Sequence, residues 1–340
     1  MEKEKEIPSF DHIIVDYLVP LIITAGVAIV LFVNATLISG PNPKSDTYAT
    51  FHSLSNGLEN YYDFKTAWKP RLLSNGLAAF TAHVSDWLLA KTSVPIVKNS
   101  AELTTALWTA GWFILICFSL IWFLKRHAVF YIFGTFAGIS FGYLSRLHMA
   151  ARIYPWDLPA LFFFTLFVLL FTHKKYWWIF ALIPLSIGFK ETTLILCAVF
   201  LFAELPWKQR LGMLIGSVAL SIGVKIAIDY FIHAPLFFTM ETKPNADEPN
   251  NSYLLGNLYN LKDILPFFIN AGTLTAFFIL PNINKNILVL KLIAIPFILG
   301  TMLFGNIIEY RIWFEMIPFA LYALNVNIYH NSLKNEIAPV

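Results

Sequence analysis

Charge is scarce in this sequence. Lys, Arg, Asp and Glu make up 13% of its 340 residues, against about 25% in an ordinary soluble domain. The net charge of +3 is too small to point to nucleic acid, so no nucleic-acid partner is expected. Cysteine is scarcer still. Cys117 and Cys197 are the two in the chain, each inside an apolar stretch, which reads as core filling rather than as a disulfide or metal pair. No CxxC, HExxH, P-loop or GxGxxG string occurs. The scattered acids offer no ligand set, so neither a cofactor nor a metal site is expected.

What the chain has instead is grease. Hydrophobic residues are 57% and aromatics 16%, with a mean hydropathy of +0.64. That composition predicts an all-α, polytopic integral membrane bundle forming a single transmembrane domain over 1–340. Apolar segments fall at 13–38, 103–124, 128–146, 156–172, 176–189, 191–205, 211–232, 261–281, 287–308 and 312–328. The first follows a mixed-charge N-terminus, MEKEKEIPSFDH, and reads as an uncleaved span rather than a signal peptide.

Basic residues set the expected orientation. Lys125-Arg126-His127, His173-Lys174-Lys175, Lys208 with Arg210, and Lys285 with Lys291 mark four turns. The positive-inside rule makes these cytoplasmic, together with both termini, in a cell membrane. The run from Trp177 to Ala203 then raises a problem of parity, because it carries Lys190 and Glu191 at its centre. As one helix it would put Lys208 and Arg210 outside. As two half-length crossings it keeps them inside, with Pro184 and Gly188 supplying the break. Lys190-Glu191 would then sit on the outer side but below the membrane surface. Backbone of that kind is tolerated only where it lines a cavity. The expectation is about ten membrane segments and a polar pocket open outward.

Two extracytoplasmic loops are long, 39–104 and 233–260. The second is rich in Pro, Asn and acids and reads as a lid. In the first, Pro70 suits a helix start. Leu72, Leu73, Leu77, Phe80, Val84, Trp87 and Leu88 then recur at helical spacing, as in an amphipathic helix lying on the bilayer. No internal repeat or low-complexity tract is seen.

The outer side collects a second set of ionisable residues: Asp46, Lys69, Arg71, Arg146, His148, Arg152, Asp157, Lys190, Glu191, Glu309 and Arg311. Positive-inside logic disfavours bases there, and groups at membrane depth pair with one another and line functional cavities. In SRLHMAARIYPWDLP, Arg146 and Arg152 bracket His148 and precede Asp157. This is either a salt-bridged turn with an interfacial Trp156 or an anion site, since an Arg fork suits phosphate. In NIIEYRIWFEMIP, Glu309 and Arg311 enter the last span, with Glu315 one turn further. Lys225 and Asp229 stand i,i+4 as an intrahelical pair. Asp46, in GPNPKSDTYATF, has a bland reading as a helix cap, and Asp63 is its rival acid.

At this point the chain resembles the GT-C glycosyltransferases, polytopic enzymes that use polyprenyl-phosphate sugar donors. The likeness rests on Asp46 after the first span, the surface helix 70–90, RIYPWDLPALFFFTL at 152–166, GFKETTLIL at 188–196 and EYRIWFEMIPF at 309–319. The resemblance implies an extracytoplasmic transferase with Asp46 as general base. Lys69, Arg71, Arg146, His148, Arg152, Asp157, Lys190, Glu191, Glu309 and Arg311 would bind substrate. The implied partners are a polyprenyl-phosphate-linked sugar donor, a glycan or lipid acceptor and the lipid bilayer. The family often shows a pair of acids in the first loop, whereas Asp46 has no adjacent acidic partner, and the soluble outer domain that many larger members add at the C-terminus is not expected here. Rival readings are a transporter or flippase for a lipid-linked or anionic substrate, and a non-catalytic subunit of a polysaccharide assembly complex. A polymerase of lipid-linked glycans would share the transferase chemistry.

Overall fold

A computed structural model describes residues 10–38, 71–92, 100–145, 154–232, 277–304 and 310–337, with side chains at the ends of some stretches excepted. Loop residues 39–70, 93–99 and 233–260 lie outside the described residues, as does most of the segment expected at 261–281. Among the described residues every regular element is helical. Three helical runs are long and apolar enough to cross a membrane: Ile14–Ala35, Ser100–Phe141 and Trp207–Phe231.

Helix α1 covers 10–38 and contains a π turn at Ile14–Leu18. Pro20 explains the turn, because it has no N–H to offer the carbonyl four residues back. Helix α2 is Leu72–Lys91, α3 Ser100–Leu124, α4 Ala128–Ser145, α5 Asp157–Thr172 and α6 Tyr176–Ile187. A 3₁₀ helix, Glu191–Leu201, precedes α7, Trp207–Phe231. Helix α8 is Lys285–Phe304, and a 3₁₀ segment, Tyr310–Met316, leads into α9, Ile317–Ile337.

The run 177–203 is not one helix. α6 ends at Gly188, Lys190 is extended (φ −159°, ψ 130°), and the chain then reverses. The Glu204 amide donates to the Tyr176 hydroxyl at 3.2 Å, so the far end of the 3₁₀ helix lies beside the start of α6. Phe180 packs on Phe200 partway up. The two arms form a hairpin whose tip is 188–191. Twelve α residues rise ~18 Å and eleven 3₁₀ residues ~22 Å, both short of a ~30 Å hydrocarbon core. The break therefore belongs to Gly188. Pro184, expected to share it, lies inside α6 without ending the helix.

Contacts between termini fix the directions. Asp16 reaches Lys125 (4.0 Å), His173 packs on Phe123, Lys174 and Lys285 both approach Glu204, and Arg210 donates to the Leu201 carbonyl. The basic turns thus gather at one end of the bundle. Lys291 is the exception. It is buried in α8, and its ammonium caps the carbonyls of Phe278 and Leu280.

Packing follows membrane rather than aqueous logic. α5 is buried along most of its length, with Phe164 and Phe167 against Phe319 of α9. α7 turns Ser217 and Ser221 inward and Leu211, Ile215 and Leu220 outward, the reverse of a soluble amphipathic helix. Gly134 and Gly138 of α4 meet Leu321 and Ile317 of α9, where a Cβ would lie 2.3 and 2.6 Å from them. With no hydrophobic drive between helices in lipid, such small-xxx-small contacts let dispersion hold them together.

Helix α2 is inside out in the same sense. Ser74, Asn75, Ala78, Ala79, Ala82 and Ser85 form its buried face. Phe80 and Trp87, at 65% and 61% exposure, point away with Leu73 and Leu77. The expected helix is present, and its small residues rather than its large ones grip the bundle.

Candidate functional site

Four elements converge at the end opposite the basic turns: the start of α2, the N-terminus of α5, the hairpin tip and the 3₁₀ segment Tyr310–Met316. The Leu73 amide donates to the Gly188 carbonyl at 3.1 Å. Leu73 also lies against Gly188, where a Cβ would come within 2.4 Å of it. Glycine leaves room for the Leu73 side chain against the tip.

Lys190 is the centre of the cluster. Its amide donates to the Ser186 carbonyl, and its carbonyl accepts from the Thr193 amide and hydroxyl. This fixes the backbone from which the side chain projects. Its ammonium donates to Asp157 Oδ1 at 3.2 Å and stands 2.6 Å from Glu315 Oε1. The three side chains are 7%, 0% and 1% exposed.

The two acids differ in how they are held. Asp157 opens α5, where the helix dipole favours a negative charge. Its Oδ2 accepts the Tyr154 amide at 2.9 Å. Glu315 has the ammonium 2.6 Å from its Oε1 and the Thr192 hydroxyl close by. Breaking a buried pair of this kind by removing one partner costs roughly 3–5 kcal/mol.

Beside the triad runs a second pair. Arg71 Nε donates to Glu191 Oε2 at 3.2 Å, with both side chains one-fifth exposed. The guanidinium lies 4.1 Å over the Trp156 ring, which stacks on Tyr154 with a 4.9 Å centroid separation and a 2° tilt. Glu191 engages Nε, so that bond leaves the two terminal amino groups, the fork that suits phosphate, unused. Behind the tip, Phe189 is enclosed by Trp112 and Phe163. The intrahelical pair Lys225–Asp229 is present on α7.

Of the expected site residues, Arg71, Asp157, Lys190 and Glu191 are brought together. Asp46, Lys69, Arg146, His148, Arg152 and Glu309 lie outside the described residues, as do the rival Asp63 and the side chain of Arg311. Trp156 proves to be a buried platform under Arg71 rather than an interfacial belt residue. Glu315 was absent from the expected set. Its signal was there to be read, since an acid inside RIWFEMIP poses the same question as Lys190 inside its own apolar run. Among the described residues no three His, Cys, Asp or Glu side chains converge as metal ligands. Compared with protein-family models, curated proteins and solved structures, the chain shows no significant match.

Proposed function

We propose that this chain is a multi-pass membrane glycosyltransferase. It moves a sugar from a polyprenyl-phosphate-type donor to a glycan or lipid acceptor on the extracytoplasmic side. In this reading the chain crosses the cell membrane about ten times, with both termini and the basic turns cytoplasmic. The α6–3₁₀ hairpin then supplies two half-length crossings. One observation carries the proposal: a half-length hairpin presents Lys190, with Arg71 beside it, at the end away from the basic turns. Ionisable groups are costly at membrane depth and mark working sites, and these two cations suit a lipid phosphate.

The chemistry is a single displacement. The acceptor hydroxyl attacks the anomeric carbon, the bond from that carbon to the phosphate oxygen breaks, and the electron pair leaves on the phosphate. Asp46 takes the hydroxyl proton, an assignment that rests on the family resemblance. Arg71 and Lys190, with Arg152 and Arg311, stabilise the charge gathering on the departing phosphate. Lys69, Arg146, His148, Glu309 and the side chain of Arg311 lie outside the described residues, and their share in substrate binding rests on the family resemblance. The anomeric centre inverts.

A transporter or flippase is the second reading. The observation that favours it is the buried Asp157–Lys190–Glu315 triad at a broken helix, an arrangement that also suits ion coupling.

The test is a profile of glycans and lipid-linked sugars in cells lacking the protein, complemented with wild type or Asp46→Asn. The expected result is a missing glycan sugar and an accumulated donor, restored by wild type and not by the variant. Donor accumulating on the cytoplasmic face alone would favour the transporter. Full rescue by Asp46→Asn would remove it as the base.

A further inference from the structure

Lys225 and Asp229 stand one turn apart on α7, a pair that by spacing alone reads as internal to the helix. The packing of α7 shows which way that pair faces. α7 runs along the 3₁₀ arm of the hairpin. The Cys197 thiol engages the Ser217 and Ser221 hydroxyls midway along that arm. At the tip, a Cβ on Gly188 would lie 3.5 Å from Ile228 Cδ1. Lys225 and Asp229 continue the inward face of Ser217 and Ser221 at intervals of four, while Ile226 and Tyr230 are exposed. This register brings the Lys225 ammonium within electrostatic reach of the Glu191 carboxylate, the group that also holds Arg71.

The pair has its acid inside and its cation toward the opening. Asp229 is 2% exposed, and both of its oxygens accept from the ammonium, at 2.5 and 2.6 Å. Lys225 is 21% exposed, in line with Arg71 and Glu191 at 20% each. Lys190, by contrast, is enclosed between Asp157 and Glu315. An ammonium has three donors, so the two bonds to Asp229 leave one. On Arg71, the bond to Glu191 leaves the terminal amino groups. An anion can take up those donors without displacing either acid. A buried carboxylate that fixes a partly exposed cation is the arrangement by which a binding group is held ready for its ligand.

We propose that Lys225 is a binding residue of this site: together with Arg71 it receives the charged oxygens of a phosphate ester, while Asp229 holds the ammonium in place. Glu191, which acts on both cations, keeps them gathered at the tip. This rests on the phosphate-binding role proposed above for this end of the bundle, and it adds to that site a cation that its sequence spacing assigns to the helix alone.

The experiment uses the full chain in maltoside micelles, which carry no phosphate, and compares two ligands with the same tail. Methyl farnesyl phosphate is a diester with one negative charge, and dimethyl farnesyl phosphate is its neutral triester. Wild type is expected to prefer the diester. Lys225→Gln should cut that preference roughly tenfold, and Lys225→Arg should keep it, since Arg also pairs with phosphate. Lys225→Gln alone strands the buried Asp229, so the deciding variant adds Asp229→Asn and removes both charges together. Its diester affinity should stay low while its triester affinity matches wild type. A structural pair gives another pattern: both ligands weaken together, or neither does. Either result would overturn the proposal. A preference lost in Arg71→Gln but kept in every Lys225 variant would also overturn it and leave the phosphate site standing. No diester preference in wild type would overturn both. A dimethyl phosphate arm separates sources: binding equal to that of the farnesyl diester would assign the site to free phosphate esters rather than to lipid headgroups.

Discussion

Lysine meets carboxylate at both ends of this bundle, in opposite surroundings. At the basic end Lys174 reaches Glu204 with side chains 64% and 46% exposed. At the other end Lys190 meets Asp157 and Glu315, exposed by 7%, 0% and 1%. Exposed pairs exchange one set of water contacts for another and contribute little. Buried ones have surrendered their water and depend wholly on each other. The comparison teaches that counting ion pairs says nothing about this protein until burial is attached to each. It also marks the candidate site. A pair that carries orientation can sit in water, but a triad kept buried against its desolvation cost needs a reason, and the ligand binding proposed above would supply one.

The largest expected effect breaks the buried end. Lys190→Met leaves two acids without their cation and should cost roughly 3–5 kcal/mol of stability, read as a lowered melting temperature in nanodiscs. Adding Glu315→Gln should recover a substantial part, since it removes one of the two stranded charges. Addition of the two single effects with no recovery would mean that the groups do not interact.

A middle-sized effect tests how the tip is held. Gly188→Ala would put a Cβ 2.4 Å from Leu73 Cδ1 and 2.8 Å from its Cγ. Leu73 is exposed and can give way partly, so overpacking should cost about 1–2 kcal/mol. Leu73→Ala in the same chain should relieve it, and a melt of the double variant checks that. No change on Gly188→Ala alone would show that the α2 contact does not set the tip.

Much of this was legible in the sequence. The all-helical class, the gathering of basic turns and the reversal near Gly188 follow from composition, charge placement and helix physics; of about ten membrane segments expected, three helical runs among the described residues are long and apolar enough to cross. A helix over 70–90 was also foreseen, but not that its small residues would pack on the bundle. Its large residues gave the periodic signal, yet in a bilayer those face outward and the small face does the packing. The site was read in part. Lys190 and Glu191 announced themselves as charges in an apolar run, and Arg71 as a base on the wrong side. Their partners did not, because which acid meets which base is decided by contacts 33 and 120 residues apart in the chain. Glu315 carried the same local signal as Lys190, an acid in an apolar run, but its partner was hidden by distance, and Trp156 had no local signal at all.

The smallest effect returns to the exposed end and isolates backbone from charge. Lys174 occupies the left-handed region (φ 57°) where α5 ends. Its amide bonds the Phe171 carbonyl and that of Lys175 the Leu170 carbonyl, the pattern of a Schellman cap. Glycine fits there without a Cβ penalty. Hydrogen bonding to each other raises the Lys174 pKa and lowers that of Glu204. The carboxyl's share is lost only as pH falls through its lowered value, and the amine's only as pH rises through its raised one. Between the ordinary 4.5 of the one and 10.5 of the other the pair is fully charged. Across that window Lys174→Ala and Lys174→Gly lose the same ion pair, so any difference between them is backbone. The glycine variant should melt higher than the alanine variant and close to wild type, and added salt should shift all three alike. A glycine variant as unstable as the alanine one would mean that the side chain, not the left-handed turn, governs this end. The contrast with the buried triad would then be one of degree rather than kind.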